Sequence, residues 1–417
     1  MSQPGNGEGG DREADVPTRQ PGRDLALALA IASLPQMTPR RLALLLHGRP
    51  AEEVWSELAH GGARVVSVLA SLRTGRGEPA PGRARGRAPV EQVAEAWRRV
   101  AATYDVAART REVVAREIRI VRHGSPGYPA RLLDDRDPPE LLFVRGAAPE
   151  RRGPVVAVVG TRRATHYGRE VAAELGAGLT RAGVTVVSGL AAGIDAAAHE
   201  GALAADVVAG AEPVGILGGG VDVDFPAANR RLIARTATAG SVISEAPPGA
   251  APEPWRFPLR NRLIAALAHA VVVVESARSG GAMHTVEAAL ARGREVLAVP
   301  GSVRSPASEG TNELLSAGAE VARGVEDVLV ALERLGFAVG ESRLAPPGSE
   351  APAGSLELDQ RGPLERSVLD ALDEHPRPID VICSRTGLGL GEVAVVLDRL
   401  MELSLAEATD AGWRRRS

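Results

Sequence analysis

The sequence of 417 residues contains no lysine, so all 49 of its basic residues are arginine. Lysine forms Schiff bases with carbonyl substrates and contacts the phosphates in a P-loop. Its absence therefore excludes both kinds of site. The formal net charge is −3, so the chain is not a globally basic nucleic-acid binder, and any anion site must be a local cluster of arginines.

Cysteine and aromatic residues are scarce as well. The one cysteine, Cys383, can form no disulfide within the chain, which agrees with a reducing cytoplasm, and its apolar neighbours predict a small core residue. Aromatic residues make up 3% of the chain, so the core must be aliphatic. No apolar run approaches the roughly 18 residues that span a membrane, and the N-terminus lacks the apolar stretch of a secretory signal. We therefore expect a cytoplasmic protein without a membrane segment.

Six short apolar runs between residues 155 and 301 predict the fold class. Most are rich in β-branched residues, end at Gly, Ser or Glu, and are separated by helix-like segments. The runs are VVAVV, VTVVSG, VGILGG, SVISE, AVVVVES and EVLAVPG. This alternation is typical of an α/β protein with a doubly wound sheet.

Changes in composition predict the remaining domains. Segments rich in Gly, Pro and charge indicate a tail and a linker, whereas a Thr38-Pro39 helix start and helical periodicity indicate a small all-α domain. Three short helices followed by DAGWRRR predict a winged helix. The predicted boundaries are a disordered tail at 1–21, a helical domain at 22–110, the sheet core at 111–337, a linker at 338–360 and the winged helix at 361–417.

Two stretches interrupt the periodic segments. Four prolines between residues 118 and 146 favour extended chain over helix, and the closing LLFVRG predicts an additional strand. GEPAPGRARGRAP carries Arg83, Arg85 and Arg87. These arginines could contact nucleic acid, but a solvated linker explains the same composition more simply.

Gly, Ser and Arg follow almost every predicted strand. Ligands of doubly wound sheets bind beyond the carboxyl ends of the strands, where loop N–H groups and guanidinium groups suit phosphates. A dinucleotide site is not expected, because Gly160-Thr161-Arg162 is not G-x-G-x-x-G and the second strand ends in Ser188-Gly189 rather than in an acid for a ribose.

The strongest local signal is WRFPLRNR, residues 255–262. It combines arginines with aromatic rings, as proteins do that bind unpaired bases and phosphates of single-stranded nucleic acid. The alternative is a helix start with solvated arginines. Helix N-termini prefer acidic residues, so an arginine-rich start favours a bound anion.

Two histidine-containing pairs are weaker candidates. Asp195 and His199 lie four residues apart and could form an acid–base pair or half of a metal site, but no further ligand follows at metal-site spacing, which favours a structural hydrogen bond. His284 and Glu287 stand beside two glycines without a nucleophile and base to support catalysis. We predict no catalytic residue, no metal site and no cofactor.

Eight motifs in order resemble the DNA-processing protein A family. They are VVGTRRATHYG, VSGLAAGIDAAAH, FPAANRRL, ISEAPPG, FPLRNRLIAALAHAVVVVES, SGGAMHTVEAA, GREVLAVPG and EGTNELLSAGA. The resemblance implies an extended Rossmann-like core that binds single-stranded DNA, a homodimer, and a role in loading the RecA recombinase during natural transformation. It also implies no established catalysis, an N-terminal domain of the sterile-alpha-motif-like or helix-hairpin-helix type, and a C-terminal winged helix.

The resemblance also implies the DNA-binding residues by position. They are Gly160, Arg162, Ser188, Gly189, Arg256, Phe257, Arg260, Asn261, Arg262, Ser279, Gly280, Gly281 and Thr285. On this basis Arg260→Ala is expected to weaken binding without unfolding the protein. The chain departs from the family where SGGAMHTV replaces the more usual Ser-Gly-Ser-Leu-x-Thr-Ala, and where Phe225 precedes Pro226 in place of a tyrosine.

Two other classes of function stay open. Residues 280–287 are similar to the Gly-Gly-x-Gly-Thr-x-Glu motif of the Lonely Guy phosphoribohydrolases, which have a related fold. One extra residue shifts Glu287 relative to the glycines, which argues against hydrolysis. A structural adaptor acting through the winged helix is the third hypothesis.

Overall fold

The structure is a computed structural model that describes residues 21–74, 89–151, 153–205, 210–339 and, with short gaps, 367–416. Three predicted features lie outside these residues: the tail at 1–21 except residue 21, the linker at 338–360 except residues 338 and 339, and the arginines 83, 85 and 87. The chain divides into two compact units, residues 1–343 and 344–417.

The first unit begins with six helices. They are α1 (Arg23–Ala32), α2 (Pro39–Leu46), α3 (Ala51–His60), α4 (Ala63–Thr74), α5 (Val90–Thr103) and α6 (Val106–Ala115). Thr38 caps α2 as predicted, because its hydroxyl accepts from the N–H of Arg41 at 3.3 Å and satisfies one free donor of the first turn. Trp97 is fully buried and donates from its indole to the carbonyl of Pro35 at 2.8 Å. The core of these helices continues into residues of the sheet.

A nine-stranded sheet forms the centre of the first unit. The strands are β1 (Ile118–Arg122), β2 (Leu141–Gly146), β3 (Val155–Val159), β4 (Thr185–Ser188), β5 (Val214–Ile216), β6 (Ser241–Ser244), β7 (Ala270–Val273), β8 (Glu295–Ala298) and β9 (Glu320–Val321). Their order is β1-β2-β6-β5-β4-β3-β7-β8-β9. Strands β3 to β9 are parallel, and β1 and β2 add an antiparallel edge.

The helices of the sheet core cover both faces of the sheet. They are α7 (Ala130–Leu133), α8 (His166–Arg181), α9 (Ile194–Ala204), α10 (Arg230–Ala239), α11 (Arg256–Leu267), α12 (Gly281–Leu290), α13 (Glu309–Ser316) and α14 (Val325–Arg334). Strand β3 shows why both faces need cover: Val156 and Val158 belong to one hydrophobic cluster, and Val155, Ala157 and Val159 to the other. Alternate side chains of a strand point to opposite faces, so an apolar strand is buried twice.

The predicted α/β class with a doubly wound sheet is confirmed. The six apolar runs are β3 to β8, and LLFVRG is β2. The proline-rich segment before β2 was expected to be extended, but it contains the short helix α7. Pro129 directly precedes α7, where a missing N–H breaks no helical hydrogen bond. The strand order reverses between β3 and β7, so the loops at their carboxyl ends flank the usual ligand crevice.

The second unit contains α15 (Ile379–Thr386), α16 (Leu390–Glu402) and the hairpin of β10 (Ala406–Thr409) with β11 (Gly412–Arg415). The hairpin is the predicted wing. Cys383 packs against the small core of this unit and is partly exposed rather than buried. In the parts of the chain that the structure describes, no helix is long and apolar enough to cross a membrane.

Candidate nucleic-acid interface

Gly160 ends β3 at the crevice and lets two neighbouring loops approach it. A Cβ there would lie 2.5 Å from Cγ1 of Ile194 and 2.8 Å from the carbonyl oxygen of Glu275. The next residue, Thr161, donates its N–H to that same carbonyl at 2.7 Å. Gly160 is therefore required for close packing. We call the carboxyl edge of the sheet the rim. By allowing this packing, Gly160 places the exposed Arg162 at the rim.

Glu275 fixes the loop that carries Arg162, a contact that the sequence did not predict. Its carboxylate is 2% exposed and accepts hydrogen bonds from the N–H and the hydroxyl of Thr165. Thr165 caps α8, so the carboxylate lies at the positive end of that helix, where it is stabilised. A carboxylate beneath the rim thus positions a loop whose arginines face solvent.

Arg260 lies beneath the rim. It is 6% exposed, and its Nη1 donates to the carbonyl of Ile216 at 2.8 Å. A Cβ on Gly189 would fall 1.5 Å from that Nη1, so only glycine fits above the guanidinium. Asp195 accepts from the N–H of Gly189 at 3.2 Å, and its negative charge stabilises the protonated form of Arg260.

The burial of Arg260 changes the result expected for Arg260→Ala, which the sequence predicted to weaken binding without affecting folding. Burial raises the pKa of Asp195 and lowers the pKa of Arg260, because each charge loses its hydration. Arg260→Ala would leave the buried Asp195 without its neighbouring cation, and an uncompensated buried charge is strongly destabilising. The substitution should therefore reduce stability as well as binding.

Arg262 belongs to a buried ion pair, so the structure does not bring it to the exposed rim. Its Nη2 contacts Oε1 of Glu245 at 2.5 Å, its Nη1 donates to the carbonyl of Asp137 at 2.6 Å, and its side chain is 11% exposed. Residues two apart on a helix do not share a face, so Arg262 points away from Arg260. The predicted DNA-binding role of Arg262 is therefore corrected to a structural one. Its side chain joins α11 to the segments beside β2 and β6.

An exposed cluster of two aromatic rings and one arginine lies at the end of β5. The ring of Phe257 is 5.7 Å from that of Phe225 between centroids, and Cζ of Arg162 lies 5.0 Å from the centroid of Phe257. A Cβ on Gly218 would approach the Phe257 ring to 3.2 Å, so a glycine supports the ring. Phe225 is 41% exposed. We call Phe225, Phe257 and Arg162 the aromatic platform.

Phe225 was not among the predicted site residues. The chain has only four phenylalanines. A phenylalanine that precedes a proline in a polar loop was the one sequence feature that could have indicated this position. Its contact with Phe257 joins residues 32 positions apart, which sequence spacing does not reveal.

Arg256 turns away from the platform. Its guanidinium lies 4.4 Å from the centroid of the Trp255 ring and its Nε lies 3.5 Å from the carboxylate of Glu253. It borders a cavity of about 670 Å³ between the N-terminal helices and the loop before α11. Arg109, which also lines this cavity, is paired with Glu112. Both cations are thus partly neutralised.

The loop between β7 and α12 adds open backbone to the rim. Gly281 is exposed and has free space around its Cα, whereas a Cβ on Gly280 would lie 2.5 Å from Oγ of Ser276. Ser279 is exposed. Asn261 donates its Nδ2 to the carbonyl of Gly281 at 3.2 Å, so the predicted residues of this loop and of α11 are brought together.

Two predicted residues are buried in supporting positions. Ser188 is fully buried and donates its hydroxyl to the carbonyl of Val158 at 2.6 Å, and Thr285 is 2% exposed. Neither side chain reaches solvent, so each supports the rim from within.

The contacts of the two histidine pairs favour structural roles over catalytic or metal-binding ones. His199 contacts the backbone carbonyl of Asp195, at 3.2 Å, rather than its carboxylate, and burial lowers the pKa of His199 to about 4. His284 and Glu287 are 3.6 Å apart with side chains 58% and 77% exposed. Among the described residues, no group of three potential ligands could hold a metal ion.

Comparison with known proteins agrees with this architecture. The family model described as DNA recombination-mediator protein A matches residues 119–333, and the model described as DprA winged helix domain matches residues 349–407. A putative DNA processing protein DprA of Mycobacterium tuberculosis is 42% identical over 259 residues, 62% of this chain and 63% of that protein. Protein Smf of Escherichia coli is 34% identical over 287 residues, 69% of this chain and 72% of that protein.

A solved structure is also similar. The X-ray structure of DNA processing protein A from Streptococcus pneumoniae has a TM-score of 0.56 and 29% identity, and the match covers 73% of this chain and 95% of that one. The first family model alone spans the sheet from β1 to α14. The chain therefore belongs to the DNA recombination-mediator protein A family.

Proposed function

We propose that this protein binds single-stranded DNA along the rim of its sheet, protects it, and loads the RecA recombinase onto it during natural transformation. The observation that carries the proposal is the aromatic platform, because a cation beside two partly exposed rings is the combination that holds an unpaired base and its phosphate. The family, described as a recombination mediator, supports the same substrate.

The proposed mechanism is binding without a chemical step. One base stacks on Phe257 and Phe225, while Arg162, which has no carboxylate partner among the residues that the structure describes, contacts a phosphate. Ser279 and the open backbone at Gly281 extend the contact surface. Arg260 does not contact the strand but adds positive electrostatic potential beneath it. Only Gly189, which has no side chain, covers the Arg260 guanidinium on that side.

The same geometry favours single strands over duplex. Paired bases present their edges to each other and their faces to their neighbours, so a ring on the protein cannot stack on them without opening the helix. If three or four phosphates are neutralised, log K should fall against log salt with a slope of about −2 to −3, at roughly −0.7 for each phosphate of a single strand.

The partners are part of the proposal. A homodimer, the RecA recombinase and a cytoplasmic location are inferred from the family to which the chain belongs. The phosphoribohydrolase hypothesis receives no support from Glu287, because its side chain is 77% exposed and the environment that would activate a catalytic carboxylate is a buried one.

The test is the fluorescence anisotropy of a labelled oligo-dT titrated with the full-length protein at two salt concentrations, with the matching duplex as competitor. Salt-sensitive binding that duplex does not displace supports the proposal and leads to assays of RecA filament formation. Absence of binding, or equal displacement by duplex, contradicts it. Release of adenine from AMP would instead favour the phosphoribohydrolase.

A further inference from the structure

A second exposed ring lies on the rim, on the other side of the crevice from the aromatic platform. Tyr167 is in the first turn of α8 and is 48% exposed. Its hydroxyl donates to the carbonyl of Pro300 at 3.2 Å, beyond the carboxyl end of β8. That hydrogen bond anchors one end of the side chain, while about half of its surface remains open to solvent. The platform function described above does not use this ring.

Two exposed arginines lie in the loops that Tyr167 joins, the loop before α8 and the loop after β8. Arg163 follows Arg162 in the loop before α8, and Arg304 lies in the loop after β8. Neither has a carboxylate partner within the described ranges of the chain. The β8 loop is braced, because Asn312 donates to the carbonyl of Gly301 at 3.1 Å and accepts from its N–H at 3.3 Å. Arg304 is thus presented on an ordered loop.

The two ends of the rim are separated by a short distance. The rings of the platform lie near the end of β5, and Tyr167 reaches the end of β8. The strands β4, β3 and β7 lie between β5 and β8. Four strand spacings amount to roughly 20 Å, which a few nucleotides of extended single strand can bridge. The exposed and unobstructed Gly281 is the first residue of α12, which follows β7, one of the strands between β5 and β8.

We propose that the bound single strand continues from the aromatic platform past Gly281 to Tyr167, where a second base stacks on the tyrosine ring and the adjoining phosphates contact Arg163 and Arg304. This inference rests on the proposed function and extends its site from one end of the rim to both. It assigns to the loop after β8 a DNA contact that the sequence motifs did not indicate.

The test compares two labelled oligo-dT lengths, one just long enough for the platform and one long enough to span the rim, on the full-length protein. Tyr167→Ala should weaken binding of the long oligonucleotide about tenfold, as for loss of one base–aromatic stack, and leave the short one unchanged. Tyr167→Phe keeps the ring and should restore most of the affinity. Arg304→Ala should reduce the salt slope for the long oligonucleotide by about 0.7.

The controls separate this inference from the proposed function. Arg181→Ala changes an exposed arginine at the far end of α8 and should alter neither oligonucleotide. Retained binding of the short oligonucleotide shows that a variant is folded. If wild type binds both lengths but Tyr167→Ala and Arg304→Ala leave the long one unaffected, the extension is wrong and the proposed function stands. If these variants instead alter only the oligomeric state, the surface contacts protein, which also overturns the extension. Failure of wild type to bind either length contradicts the proposed function itself.

Discussion

Arginines lie at both ends of α11, but in opposite electrostatic settings. At its C-terminus, Arg294 donates to the carbonyl of Ala266 at 3.2 Å and Arg131 to that of Ala268 at 2.8 Å. These cations meet the negative end of the helix dipole and free carbonyl groups, so they stabilise the helix. Burial, together with the nearby positive charge of Arg294, lowers the pKa of Arg131 to about 10.

At its N-terminus, α11 begins with arginine and has no acidic residue in its first turn. Cations there oppose the dipole, and the protein offsets this repulsion in different ways. Arg262 is neutralised by Glu245 and Arg260 lies near Asp195. The guanidinium of Arg162 lies over the Phe257 ring and has no carboxylate partner among the described residues. The comparison indicates that the arginines at the C-terminal end stabilise this helix, whereas at the rim end one guanidinium, that of Arg162, remains exposed.

The strongest test of this comparison is Arg262→Ala. It removes a paired cation at the rim end and leaves Glu245, whose side chain is 9% exposed, without a partner. Loss of one partner of a buried pair costs about 3–5 kcal/mol, so the midpoint of chemical denaturation should fall strongly. DNA affinity, measured under conditions where the variant is folded, should stay near that of wild type. A large loss of affinity in folded protein would return Arg262 to the binding site.

Phe257→Ala should have the next largest effect, on binding. Removing a stacked ring costs about 1–3 kcal/mol of affinity for a single strand, which anisotropy with oligo-dT would detect as a loss of roughly tenfold or more. Phe257→Tyr is the matched control and should bind nearly as well as wild type. Equal affinities for the alanine variant and wild type would remove the aromatic platform from the site.

Arg162→Ala should have a smaller effect that depends on salt. Loss of one phosphate contact should reduce the slope of log K against log salt by about 0.7, and the difference from wild type should shrink as salt increases. Stability should hardly change, because the guanidinium is exposed. Arg169, an exposed arginine near the start of α8 that donates to the carbonyl of Ala164 at 2.6 Å, provides the control variant Arg169→Ala. A slope identical to that of wild type would show that Arg162 contacts no phosphate.

The smallest effect is expected at the other end of the helix. Arg294→Ala removes one of the cations that contact the C-terminus of α11. It should lower the free energy of unfolding by about 0.3–1 kcal/mol and leave the affinity for oligo-dT unchanged. Thermal denaturation and anisotropy on the same sample would measure both. A change in affinity would mean that the two ends of α11 do not differ in function.

The sheet was predictable from the sequence because its signals are local. Strands β3 to β8 are short apolar runs that end at turn residues. Both faces of β3 are buried, and a strand buried on both faces is recognisable as a continuous run of apolar residues. The position of the rim followed from the rule that ligands bind at carboxyl ends. The short helix α7 was missed because prolines on both sides of it outweighed its four residues.

The roles of individual rim residues were less predictable because they depend on contacts distant in sequence. Arg260 and Arg262 belong to the same motif, yet their partners are Ile216 and Glu245, and neither partner is visible from the motif. Glu275 and Phe225 went unrecognised for the same reason. Gly189 was expected to approach DNA, but the nearest atoms to a Cβ there belong to Arg260.

The Arg260 guanidinium beneath Gly189 also determines how the positive charge at this position depends on pH. A buried lysine can lose its proton near neutral pH, whereas arginine starts from a pKa so high that it remains charged even at this depth. Because the chain has no lysine, the buried cation beneath Gly189 is an arginine, which does not titrate near neutral pH. The charge of this buried guanidinium should therefore stay constant as the pH changes, and this cation should not by itself make binding of a polyanion depend on pH.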